Sequence, residues 1–337
     1  MAHSDSQDAI DSAGTKAAIR PWLAGLLLAI AGFFAVVAEP YIHRFGLSLA
    51  AALGIYSCFL LLVTLVLTPG MDRIRQWVEE RKTPWLVVLW YVPYFLYVAG
   101  TGDFRWLAVA KLLLLLPVPM MYRLFPVREV ARLGWQDILV AGWLIWILLR
   151  HLLTGVWNVP VNLDFMGRLL LLAVGSWTWV FVRRVPSLGY SLIVSWRVLR
   201  VAGGNFGLFA AIAIPASLAM HFTEWNPRPF GFFSFAVSFV EIFLFAALLE
   251  EMFFRGFLQT LVSESLGSAG VGQVIISCLF GLFHILHAPI PNWRYVILAT
   301  IAGWFYGSAF VKTGSLMTSA LTHAMVDTVW RTFFSKS

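Results

Sequence analysis

In the last third of the chain, residues able to move protons or hold a polarised bond stand inside runs that are otherwise almost wholly apolar. Glu250 and Glu251 lie about 18 residues into the run that begins near Phe232, and Arg255 follows one turn later, in the string Leu-Leu-Glu-Glu-Met-Phe-Phe-Arg-Gly. The next run supplies Phe280 and His284, and the last supplies His323 and Asp327. Within each of these pairs the spacing is four, which puts both members on one face of a helix. A charged side chain at bilayer depth costs roughly 2.5–3.5 kcal/mol on insertion scales, so a functional site is the default reading of this group. Carboxylates and imidazoles so placed can act as general acids and bases, ligate a cation, or relay protons.

Helical geometry sorts the acidic residues. Glu251 and Arg255 are four apart, acid before base, and can neutralise each other, whereas Glu250 points about 100° away and stays free. Taken alone, the pair reads equally well as a helix-end ion pair beside a solvated carboxylate, and a lone histidine in an apolar helix is more often a packing residue than a catalyst. Three helices that each offer such a group shift that balance. At about 1.5 Å per residue, Glu250 lies ~22 Å from the 265 end of its run and His284 ~20 Å from the adjoining 271 end. His323 is ~14 Å from the 314 end, so the three converge if the last helix tilts or starts deeper. Glu241, earlier in the same run as Glu250, belongs near the opposite interface.

The elements that must position these residues are membrane spans. Of 337 residues 60% are hydrophobic and only 12% charged, and the mean hydropathy is +0.81; soluble domains carry about a quarter charged residues. Sixteen tryptophans and 28 phenylalanines suit a surface that meets acyl chains and headgroups. Runs of spanning length occur at about 22–38, 47–68, 84–100, 105–122, 138–154, 165–182, 205–222, 232–262, 271–288, 294–311 and 314–333, giving an all-α polytopic bundle of about ten or eleven spans. Residues 1–20 are polar and small and read as a disordered tail. Residues 21–204 form an amino-terminal transmembrane region with no legible motif, and 205–333 form the region that carries the polar groups.

The net charge of +7 does not point to nucleic acid, because the basic residues fall in the gaps between runs. Arg73, Arg75, Arg81 and Lys82 share one gap, Arg123, Arg128 and Arg132 another, and Arg183, Arg184, Arg197 and Arg200 a third, whereas intervening gaps hold Arg44 or Arg228 alone. By the positive-inside rule the amino terminus and the 186–204 segment are cytoplasmic in a cell membrane. Ser187 to Val201, apolar with Arg197 and Arg200, reads as a surface-lying amphipathic helix. The two cysteines, Cys58 and Cys278, stand in apolar runs and indicate neither a disulfide framework nor a cysteine metal site. Gly100 to Asp103 reads as a turn.

The strings E-E-M-F-F-R (Glu250 to Arg255), F-G-L-F-H (Phe280 to His284) and H-A-M-V-D (His323 to Asp327) resemble the three motifs of the CPBP family. That family comprises the type II CAAX-processing endopeptidases and their bacterial relatives, also called Abi proteins. Gly303-Trp-Phe-Tyr-Gly307 and Lys312-Thr-Gly-Ser-Leu316 are similar to its lead-in to the last motif. The resemblance covers about residues 205–333. It implies a helical intramembrane peptidase, in the last four or five helices, with no metal or other cofactor. It acts on a membrane-associated peptide or protein, near an end that is embedded or lipid-modified. By position, Glu250 is then the base that activates water, His284 its partner in holding the water, and His323 with Asp327 the polarising pair at the scissile carbonyl. Glu251, Arg255 and Phe280 are support. Many members carry asparagine where this chain has Asp327; here the carboxylate is expected to orient His323 through one ring nitrogen while the other faces substrate.

Two other readings compete. A metal-dependent peptidase could use Glu250, His284, His323 and Asp327 as ligands, although the chain lacks H-E-x-x-H. A non-catalytic scaffold or a transporter could use the buried carboxylates and histidines as an ion relay, although no inverted repeat is evident.

Overall fold

The computed structural model describes residues 25, 28–81, 89–191, 193–228 and 231–336. The tail expected over 1–20 and the first residues of the 22–38 run lie outside them. Each of the eleven apolar runs holds helix among its described residues. Among the described residues, seven helical stretches are long and apolar enough to cross a membrane. They are α1 (Leu28–Phe45), α2 (Leu49–Leu67, prolonged to Gly70 by a 3₁₀ turn), the pair α5 (Trp106–Leu113) and α6 (Pro117–Leu124), α8 (Asp164–Trp177, continuing to Val182), α9 (Trp196–Ala219), α10 (Phe232–Leu266) and α12 (Trp293–Thr313). Shorter apolar helices are α7 (Trp135–Leu149) and α11 (Ala269–Leu282). α3 (Asp72–Arg81) is polar, α4 (Val92–Thr101) holds part of the 84–100 run, and α13 (Leu316–Phe333) is long enough to span. Its His323, Asp327, Arg331 and hydroxyl-bearing residues keep α13 below spanning hydropathy: the residues of chemical interest are what weaken the membrane signal there.

Short connections make successive helices alternate in direction, and hydrogen bonds between connections define two ends of the bundle. At one end the Leu133 amide donates to Ser265 Oγ (2.8 Å), Arg197 donates to Lys312 O (2.9 Å), and the Leu316 amide donates to Gly189 O (2.9 Å). At the other, Arg105 donates to Gly155 O (2.8 Å), and Thr223–Trp225 pairs antiparallel with Phe334–Lys336. The Arg-rich gaps all fall at the first end, hereafter the basic end. Close approach is achieved where side chains are absent: a Cβ on Gly54 of α2 would stand 2.7 Å from Gly100 Cα of α4.

Three features differ from the sequence reading. Residues 187–191 and 193–195 are not helical; Arg184, Ser187 and Gly189 have φ of +56°, +53° and +70°, and the helix starts only at Trp196, capped by the Ser195 hydroxyl. The surface-lying helix expected over 187–201 is therefore an irregular loop followed by the first turns of α9. That helix runs unbroken through 204, so the region boundary drawn at 204/205 falls inside it. Arg183, read as a basic residue at a span end, is fully buried and grips Asp137 through two contacts, Nε–Oδ1 at 2.7 Å and Nη2–Oδ2 at 2.9 Å. It also donates to Val130 O and Arg132 O, and Tyr122 donates to Asp137, so a planar five-donor side chain ties the 125–134 connection to the end of α8. At the 100–103 turn Gly102 has φ +71°, and Asp103 accepts from Tyr97 Oη at 2.8 Å.

Candidate active site

α10 is not a regular α-helix where its acidic residues stand. Leu248–Glu251 is a single α-turn between two π-helical segments, Phe243–Ala247 and Met252–Gln259. π-segments widen the helix locally and are frequent at functional sites. The result aims two adjacent carboxylates differently. The Glu251 side chain is 0% exposed, that of Glu250 35%.

Glu251 is the hub of a sealed network. Its Oε1 accepts from Arg255 Nη1 at 3.0 Å and lies 2.8 Å from His323 Nδ1, while Oε2 meets the Ser319 hydroxyl. Ser319 is one turn before His323 on α13, so the same face delivers both. Arg255, also 0% exposed, places Nη2 3.0 Å from Gly303 O and its guanidinium 4.7 Å from the Phe280 ring centroid and 5.4 Å from that of Tyr306. Such a cation is held by one carboxylate, one carbonyl and aromatic faces, the combination that makes a buried charge tolerable. A Cβ on Gly303 would stand 3.3 Å from Arg255 Nη2 and 3.2 Å from Ser277 Cα, so the bare backbone there lets the arginine reach the carbonyl.

His323 joins this network to the open side. Tyr306 stacks on its ring (4.5 Å, 15°) and Phe280 meets it edge-on (5.9 Å). With Nδ1 committed to Glu251, Nε2 faces Asp327 Oδ2 at 3.3 Å and Glu250 Oε2 at 4.0 Å. The Asp327 side chain is 44% exposed. Glu251, not Asp327, thus takes Nδ1, and Asp327 and Glu250 flank the other nitrogen. Among the described residues no hydrogen bond reaches the Glu250 carboxylate.

Depth explains the meeting of α10 and α13. The Leu316 side chain lies against Gly256, where a Cβ would be 3.1 Å from Leu316 Cδ1. Counting from that level, His323 arrives beside Glu250 and Glu251, and α10 continues ten residues, roughly 15 Å, beyond the start of α13 toward the basic end. The last helix starts deeper, which removes the mismatch of depths computed from run ends.

His284 is placed differently from the other residues singled out in the sequence. It lies two residues past the end of α11, with Nδ1 2.9 Å from Phe280 O. Its ring packs on Tyr295 (4.5 Å), Phe280 (5.0 Å) and His287 (5.4 Å). Among the described residues it forms no ion pair with Glu250, Asp327 or any other carboxylate, and it joins the site through Phe280. Glu250, Glu251, Phe280 and Asp327 each lie beside His323, and Arg255 joins Glu251 and Phe280. Ser319, Tyr306 and Tyr295 were not singled out in the sequence. The signal for Ser319 was its spacing from His323, and for Tyr306 its place in Gly303-Trp-Phe-Tyr-Gly307. Among the described residues no three His, Cys, Asp or Glu side chains are grouped as a metal ion requires.

Residues 232–329 match the family model described as type II CAAX prenyl endopeptidase Rce1-like. Over this segment the chain is similar to that family. The match contains all three strings that carried the resemblance, together with Gly303, Tyr306 and Ser319 of the network. No curated protein and no solved structure matches the chain. The Rce1-like segment begins at the first residue of α10 and ends four residues short of the end of α13, so its limits are those of the helices that hold the site.

Proposed function

We propose that the protein is an intramembrane endopeptidase in which Glu250 activates water. The observation that carries this reading is the division of labour between neighbouring carboxylates: Glu251 is sealed and fully engaged, while Glu250 is open, unbonded among the described residues, and 4.0 Å from a histidine nitrogen. A water about 2.8 Å from both Glu250 Oε2 and His323 Nε2 fits that separation. Glu250 takes a proton from this water as its oxygen attacks the scissile carbonyl carbon, and returns it to the leaving nitrogen. His323 is held by Glu251 and stacked on Tyr306, so it is pre-oriented to stabilise the negative charge developing on the carbonyl oxygen. Asp327, beside Nε2, positions and polarises the same ring. His284, with Nδ1 turned to its own helix, has Nε2 available to hold the water or the substrate backbone.

The substrate is a membrane-associated peptide or protein, cut near an embedded or lipid-modified end and presented from the bilayer. The amino terminus and basic end are cytoplasmic, and the protein resides in a cell membrane. The test is cleavage of membrane-anchored reporter peptides by wild-type and Glu250→Ala protein in detergent, followed by mass spectrometry with and without chelator. Chelator-resistant cleavage reduced about 10²- to 10⁴-fold in the variant is the expected result. Chelator-sensitive cleavage would transfer the site to the metal-dependent class.

A further inference from the structure

A polar cavity of about 630 Å³ lies between the junction of α2 and α3, the 184–191 loop and the turn at Gly314, and none of the residues of the candidate active site lines it. Arg75, Arg184, Ser187 and Ser191 supply polar side chains to it, and among the described residues neither aspartate nor glutamate lines it. The arginines are in different states. Arg75 is fixed by Nη2 contacts to Pro69 O (3.0 Å) and Tyr190 O (3.4 Å), which leaves its buried Nε without a partner among the described residues. Arg184 forms no hydrogen bond or ion pair among the described residues, and its left-handed backbone (φ +56°) turns the chain at the cavity wall. Among the described residues, one preset guanidinium, one guanidinium without a partner and two hydroxyls, with no carboxylate in the lining, make a receptor for a phosphate oxyanion.

Place and size narrow the ligand. The cavity sits where α2, α8 and α12 end and α9 is about to begin, at the basic end, which is headgroup depth on the side where anionic lipids concentrate. Its volume exceeds what one phosphate ion fills and lies in the usual range for a bound small molecule. We propose that this cavity binds the phosphate of an anionic phospholipid headgroup, with Arg184 and Arg75 as its ligands. The wall of the cavity is also the part of the amino-terminal region that rests on the peptidase helices. Leu188 O would be 3.0 Å from a Cβ on Gly256, and the Leu316 amide donates to Gly189 O. A headgroup bridging Arg75 and Arg184 therefore braces the loop against the helices that carry Glu251 and His323.

The proposal is tested on the full chain in detergent, by native mass spectrometry of retained lipid and by thermal unfolding. The titrants are phosphatidylglycerol, phosphatidylcholine or inorganic phosphate, and none of the readouts depends on peptidase activity. At about a fivefold gain per arginine near an anionic surface, the wild type prefers phosphatidylglycerol over phosphatidylcholine about thirtyfold. Arg184→Gln lowers this to about fivefold, and Arg184→Lys retains most of it. Among the described residues Arg184 holds no bond, so its variants are expected to fold as the wild type does; Arg75→Gln, which loses two backbone contacts, serves only as a second check. If lipid class makes no difference but inorganic phosphate stabilises the wild type and not Arg184→Gln, the same site takes free phosphate. Lipid and phosphate responses that are both unchanged in Arg184→Gln overturn the proposal.

Discussion

Replacing each of the two adjacent glutamates by alanine should separate chemistry from stability. Glu251 is fully buried and holds Arg255 at 3.0 Å, His323 at 2.8 Å and Ser319. Its removal leaves the buried Arg255 cation with Gly303 O and aromatic faces alone, and breaking a buried pair from one side costs about 3–5 kcal/mol. Glu250 loses no hydrogen bond from the described residues on the same change, and substitutions of that kind stay within about 0.5 kcal/mol. Thermal and denaturant unfolding in detergent should therefore show Glu251→Ala strongly destabilised and Glu250→Ala close to wild type. In the reporter assay Glu250→Ala falls about 10²- to 10⁴-fold while remaining folded. Equal loss of stability in the two variants would mean that Glu250 is a structural group, and the division of labour drawn from the geometry would fall with it.

Two further outcomes follow from distances already given. Asp327→Asn keeps a polar group 3.3 Å from His323 Nε2 and should retain much of the turnover that Asp327→Ala loses, measured as initial cleavage rates; equal loss would assign the negative charge itself the role. Arg183→Met removes both contacts to the buried Asp137 and two carbonyl caps, and should lower unfolding stability by about 3–5 kcal/mol, whereas Arg184→Met beside it should change stability by less than about 0.5 kcal/mol.

Much of this arrangement was legible in the sequence because membrane helices announce themselves by length and composition. The eleven apolar runs all hold helix among their described residues, and i,i+4 spacing correctly paired Glu251 with Arg255. The pairing of His323 was not legible in the same way. Both carboxylates four residues or one helix away could have taken Nδ1, and only the depth at which α13 starts, together with the π-segments around Glu251, decides that Glu251 does so. His284 ends up outside its helix because Phe283 closes α11, a boundary that no cap residue marks in the string F-G-L-F-H. The loop over 187–195 was misread as helix because its apolar and basic content mimics an interfacial face; the deciding facts are left-handed residues and the burial of neighbouring Arg183. Positive-inside reasoning treats every arginine in a gap as solvated, and Arg183 is the exception that only packing reveals.

The deep start of α13 has a consequence for modularity. Because α10 overshoots it by roughly 15 Å, the Gly314–Ser315 turn lies at the bottom of a notch in the Rce1-like helices, and Leu188 and Gly189 of the amino-terminal region fill that notch. A fragment cut at residue 232 would bare the Leu316 amide and the flank of Gly256, below the level of Glu250 and His323. The segment that matches a known family thus lacks neighbours on which its own helices rest: α9, which packs on α12 and α13, and the loop at Leu188 and Gly189.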